Sequence, residues 1–125
     1  MIFGIGIDLI ETIRVYKKTE GNHDFKKQVF TPEEIAYCES KAHPAQHYAA
    51  RFAAKEAFFK ALGTGWRGGM KFTEIEIRND SLGKPEFILH GKTKKIAEEL
   101  HLGKIHLSLS HLKEIASAYV IIESD

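Results

Sequence analysis

Residues 51–65 read RFAAKEAFFKALGTG, and this stretch limits the possible folds more than any other in the chain. At 3.6 residues per turn, Phe52, Glu56, Phe59 and Lys60 fall close together, and Phe58 points to a different side. A helix with large apolar groups on two sides must be covered on both. Its cover is either the rest of the domain or another subunit. The length of 125 residues suits one such centre, a single domain spanning 1–125. A composition 43% hydrophobic and 28% charged excludes a disordered chain. A formal net charge of +1 gives no sign of a nucleic-acid binder. Cys38 is the single cysteine, so no intrachain disulfide can form and a reducing compartment is expected. No run approaches the roughly 20 apolar residues of a membrane span. The start MIFGIGID meets Asp8 early and lacks the basic region of a signal peptide. A cytoplasmic location is the expectation.

Along the chain, Ile2 to Leu9 alternates as a strand. Phe3, Ile5, Ile7 and Leu9 share one side, and Ile2, Gly4, Gly6 and Asp8 share the other. The two glycines leave room beside Asp8 for a ligand or another backbone. Glu11 to Thr19 reads as a helix with Ile13 and Tyr16 apolar, broken at Gly21 and Asn22. Thr31, Pro32 and Glu34 form a capping box with proline at the first helical position, opening a helix to about Lys41. Pro44 opens the long helix, which stops at Gly63. Residues 63–69 form a turn. Phe72 to Arg78 and Glu86 to His90 make a hairpin around Gly83. Lys92 to Leu102 is an amphipathic helix with Ile96, Ala97 and Leu100 inward. Ile105 to Ser110 and Ala116 to Ile122 are the last two strands. The order is strand, helices, two strands, helix, two strands. It predicts an α+β fold with a mainly antiparallel sheet packed on helices.

Glu56 is the residue with the clearest chemical meaning. A carboxylate on the shoulder of an apolar face is costly unless a positive group meets it. Lys60, four residues on, could do so as an ordinary helix-surface pair. Alternatively Glu56 and Asp8 converge on a divalent cation. Two carboxylates with open positions suit Mg²⁺, which keeps waters and recruits substrate phosphates. Residues 63–68 spell GxGxxG, but they follow a helix and precede a strand, the reverse of a dinucleotide fingerprint. A helix cap and turn is the simpler reading, although glycine-rich backbone can bind phosphate oxygens. His43 and His47 lie four apart without the glutamate of a zinc HExxH motif. His111 ends the strand LSLSH, and Cys38 reads as a small core residue.

Five segments in order resemble the holo-acyl-carrier-protein synthase family of 4′-phosphopantetheinyl transferases. They are GIGIDLIE (4–11), VFTPEEIAYC (29–38), RFAAKEAFFKALGTG (51–65), NDSLGKPEFILHG (79–91), and SLSH with ASAYVI (108–111 and 116–121). The resemblance implies transfer of the phosphopantetheine arm of coenzyme A to a serine of apo acyl carrier protein, in support of fatty acid biosynthesis. The other product is adenosine 3′,5′-bisphosphate. It implies Mg²⁺ held by the positions matching Asp8 and Glu56. Glu56 and Lys60 are the expected catalytic residues, with Glu56 taking the serine proton directly or through a water. Arg51, Lys60, Gly63, Gly65, Ser110 and His111 match segments that approach coenzyme A. Leu112 and Ile115 depart from the threonine and aromatic residue that many members carry there. The resemblance also implies a homotrimer with active sites at subunit interfaces. Acyl carrier protein is strongly acidic. Arg14, Lys17 and Lys18, with Lys26 and Lys27, offer a basic docking cluster. The competing functions are a Mg²⁺-dependent phosphodiesterase and a non-catalytic module that binds coenzyme A or a nucleotide. Nucleic acid and membrane are not expected partners.

Overall fold

The computed structural model describes residues 1–21, 23–64 and 69–125. β1 (Ile2–Glu11) leads into α1 (Thr12–Gly21), α2 (His23–Val29), α3 (Pro32–Glu39) and α4 (Pro44–Leu62). A 3-10 turn at Phe72–Glu74 precedes the hairpin β2 (Ile75–Asn79) and β3 (Pro85–Leu89). Then come α5 (Gly91–Glu99), β4 (Leu102–His111) and β5 (Ile115–Ser124). β5 lies between β1 and β4 in an antiparallel three-stranded sheet, and β2 and β3 form a separate antiparallel pair. The α+β class and the order of elements agree with expectation.

Local chemistry explains the helix ends. The Thr31 hydroxyl accepts from the Glu34 N–H at 3.2 Å, and the Thr31 N–H donates to Glu34 Oε1 at 3.0 Å. Together they satisfy two donors at the start of α3. Gly63 ends α4 in the left-handed conformation at φ 80°, as the helix-cap reading requires. α4 is central and covered on both sides. Phe58 and Phe59 pack with Ile75, Ile77, Val120 and Ile122, while Tyr48, Ala49 and Phe52 pack with Val15, Val29, Phe30 and Cys38. The cover for its second apolar side is therefore this chain, not another subunit.

Other expectations need correction. α2 was not anticipated, because seven residues without a clear apolar stripe give little periodicity. Phe72–Glu74 begins the expected strand as a 3-10 turn. In α1 the buried residues are Thr12, Val15 and Thr19, whereas Ile13 and Tyr16 face outward. Leu100 falls past the end of α5 and is 41% exposed, so of the three residues expected inward Ile96 and Ala97 are, joined by the buried Thr93. The alternation of β1 is correct, and its glycine side faces α4. A Cβ on Gly4 would collide with the Ala61 carbonyl, and one on Gly6 with the Ala57 carbonyl. Of the two uses foreseen for these glycines, the close approach of another backbone is the one observed. The opposite side of β1 is exposed, with Ile5 at 68% and Leu9 at 67%.

α4 also contributes a buried cation that the sequence reading missed. Lys55 is fully buried and donates to Glu34 Oε1 at 2.7 Å, Val29 O at 2.6 Å and Phe72 O at 3.0 Å. The second Glu34 oxygen accepts from the Ile77 N–H at 3.0 Å. One ion pair thus ties α3, α4, β2, the end of α2 and the 3-10 turn together. Burial pushes the Lys55 ammonium below its usual range, opposed by Glu34.

Candidate active site

Asp8 and Glu56 reach one cleft from different elements. β1 carries Asp8 on its glycine side, opposite Ala118 of β5. Because α4 lies flush on Gly4 and Gly6, its Glu56 comes to the same end of the strand. The cleft has a volume of about 240 Å³, and its walls include Asp8, Arg14, Lys18, Phe52 and Glu56. Burial first, and the Asp8 carboxylate next, push the Glu56 carboxyl above its usual range; Lys60 and Lys18 oppose this. A carboxyl raised in this way beside a second carboxylate fits a divalent cation, which would relieve the burial penalty and the mutual repulsion together.

Lys60 does not pair with Glu56 as four-residue spacing suggested. Its ammonium donates to Asp8 Oδ1 at 2.9 Å and to the Ile7 carbonyl at 3.0 Å. The bond crosses from α4 to β1 and anchors Asp8, while a positive charge stays beside the cleft. Arg14 and Lys18, four apart on α1, line the cleft, and Lys17 does not. Lys26, expected in the same basic cluster, lies 3.5 Å from Glu39.

The residues matched to nucleotide-binding segments form a different group. Arg51 is 3% exposed, lies 4.0 Å above the Tyr37 ring and donates to Asn79 Oδ1 at 2.9 Å. One turn earlier on α4, the His47 ring meets the His111 ring edge-on, with centroids 5.4 Å apart. Burial, followed by neighbouring His111, Lys41 and Arg51, lowers the His47 pKa. Ser110 and His111 end β4 and are exposed. Among the described residues, none of Arg51, Ser110 and His111 lines the Asp8–Glu56 cleft. Gly63 is the α4 cap, and Gly65 lies outside the described residues. Cys38 is buried, and burial pushes its thiol up to about 12, as suits an inert core residue. A larger groove of about 720 Å³, between α1, the start of α4 and the β4–β5 turn, contains none of the described candidate residues.

A model of the 4′-phosphopantetheinyl transferase superfamily matches residues 4–120, and the chain belongs to that superfamily. Within it, the chain resembles holo-[acyl-carrier-protein] synthases. The protein of that name from Geotalea daltonii is 50% identical over 124 residues, covering 98% of this chain and 99% of its own. The crystal structure of the Neisseria meningitidis synthase superposes with a TM-score of 0.91 at 38% identity, covering 99% of this chain and 100% of the other. A Bacillus anthracis synthase solved in complex with CoA (3′,5′-ADP) superposes with a TM-score of 0.82 at 38% identity, covering 100% and 99%.

Proposed function

We propose that this chain is a holo-[acyl-carrier-protein] synthase with one transferase domain over 1–125. It transfers 4′-phosphopantetheine from coenzyme A to a serine of apo acyl carrier protein and serves fatty acid biosynthesis. The observation that carries this reading is the convergence of Asp8 and Glu56 in one cleft, in a chain of this family. In the reaction the serine oxygen bonds to the pantetheine-bearing phosphorus. The bond from that phosphorus to the bridging oxygen breaks, releasing adenosine 3′,5′-bisphosphate. Asp8 and Glu56 would hold Mg²⁺, which supplies charge neutralisation at the diphosphate. Lys60, fixed beside Asp8, offsets negative charge as it develops on the leaving oxygen. Glu56 receives the serine proton, directly or through a water.

Two further features of the reading concern assembly and partners. On the outer side of the sheet, Ile5 faces Ile121 and Ile7 faces Tyr119 across β1 and β5, and all four are exposed. An apolar face of this kind fits burial against further copies, and we assign it to a homotrimer. The separation of Arg51, Ser110 and His111 from the Asp8 cleft supports a site completed across that interface. There the second group approaches the nucleotide bound at a neighbour's cleft, and the Gly63 turn contributes backbone. Arg14, Lys17 and Lys18 on exposed positions of α1 face the acidic carrier protein. Among the described residues no helix is long and apolar enough to cross a membrane, and we place the enzyme in the cytoplasm.

The test is mass spectrometry of apo acyl carrier protein incubated with this protein, coenzyme A and Mg²⁺. The expected result is a gain of one phosphopantetheine, abolished by chelator. Asp8→Asn and Glu56→Gln should each lower turnover at least ~100-fold with the circular dichroism spectrum unchanged. Cleavage of coenzyme A without an acceptor would instead establish a phosphodiesterase. Binding without any transfer to several carrier proteins would establish a binding module.

A further inference from the structure

The His111 imidazole is exposed at the end of β4, and its ring contact is with His47 of α4, edge-on with centroids 5.4 Å apart. Among the described residues no hydrogen bond holds it. His47 is half-buried and is braced in turn. Its ring meets that of Tyr37 on α3 edge-on, with centroids 5.8 Å apart. The Tyr37 ring also carries the Arg51 guanidinium at 4.0 Å and the Lys41 ammonium at 4.7 Å. Three rings from α3, α4 and β4 thus form one column, with the buried Arg51 at its foot. His47 has two ways to act beside His111, as a cation or as a ring that packs. Burial, with the charges of His111, Lys41, Arg51 and His43, disfavours its protonated form. Its contribution is therefore the ring. An exposed imidazole must have its side-chain torsions fixed before it can donate to a ligand, and that ordering costs free energy. Packing against His47 orders the His111 ring before the ligand arrives. The anions of coenzyme A are its phosphates, and an imidazole N–H with a guanidinium nearby suits a phosphate oxygen.

We infer that His47 is a positioning residue, whose ring packing holds the His111 imidazole where it meets a phosphate oxygen of coenzyme A bound at a neighbour's cleft. This rests on the transferase reading above, which brings His111 to the nucleotide and gives His47 no part.

The experiment is calorimetric titration of coenzyme A and of dephospho-coenzyme A, with Mg²⁺, into the wild-type protein, His47→Ala, His47→Phe, His111→Ala and the variant carrying both alanines. His47→Ala should weaken coenzyme A roughly fivefold, and His47→Phe should restore most of the loss, because a phenyl ring keeps the edge contact. In the His111→Ala background the loss of His47 should cost nothing further. A loss for coenzyme A alone would place the His111 contact at the 3′-phosphate, and an equal loss for both ligands would place it at the diphosphate. Either supports the inference when the double variant shows no added loss. A loss that persists without His111 would show that His47 acts on the ligand or the fold by itself. Binding by His47→Phe as weak as by His47→Ala would show that its nitrogens matter and not its ring. Either result overturns the inference, as does unchanged binding in His47→Ala or in His111→Ala. Wild-type protein that binds neither ligand would overturn the transferase reading itself, a result distinct from a defect confined to the His47 variants.

Discussion

Glu56 is half-buried beside a second carboxylate, so its ionised form carries a cost in the folded chain that the unfolded chain does not share. Its pKa is raised on folding, and the sign follows directly. Above that raised value the ionised side chain detracts from stability, and as the pH falls through it protonation removes the cost. Glu56→Gln should therefore raise the melting temperature of metal-free protein at about pH 7.5, and the gain should shrink toward about pH 5. Thermal denaturation at the two pH values checks this, and Mg²⁺ should stabilise the wild type but not the variant. The carboxylate's exposure to an apolar shoulder is legible in the sequence, since Phe52 and Glu56 are four apart on a helix. Its meeting with Asp8 is not, because no local spacing encodes a contact between residues 8 and 56. The same gap explains Lys60, whose near neighbour in sequence was Glu56 but whose hydrogen bonds go to β1.

At the scale of elements, the Lys55–Glu34 pair holds five segments, the 3-10 turn included, through a single buried ammonium and carboxylate. Removing the cation strands a buried carboxylate and two carbonyls. Lys55→Met should lower the stability by about 3–5 kcal/mol, read as a lower urea midpoint with an unchanged slope. An unaltered midpoint would show that the pair is dispensable. Helix boundaries set by local chemistry were readable, as at Thr31–Pro32–Glu34 and Pro44–Gly63. Lys55 was not, because a lysine within an apolar run looks like any helix-surface residue until its carbonyl partners arrive from elsewhere. Glu34 was seen as a cap, and its second oxygen, bound to β2, lay beyond what a capping box predicts.

For the whole molecule the informative surface is the outer side of the sheet. Tyr119 is 57% exposed beside Ile7. Ile5→Glu should leave the secondary structure intact, convert the proposed trimer to monomers in size-exclusion chromatography with light scattering, and abolish transfer. A monomeric wild type would remove the interfacial site from the proposal. The sequence divided β1 correctly into two sides, yet which side met the helix was hidden. Apolar residues lay on the side that stays open in the single chain, and glycines on the side that packs.

Those glycines bear on tolerance as well as on packing. Where a layer of side chains separates a strand from a helix, the gap between them changes with every rotamer adjustment and every substitution. At Gly4 and Gly6 the strand touches the carbonyls of α4 directly. The spacing of the β1 and α4 main chains that carry Asp8 and Glu56 is thus set by direct backbone contact, which leaves it little freedom to drift as side chains elsewhere change.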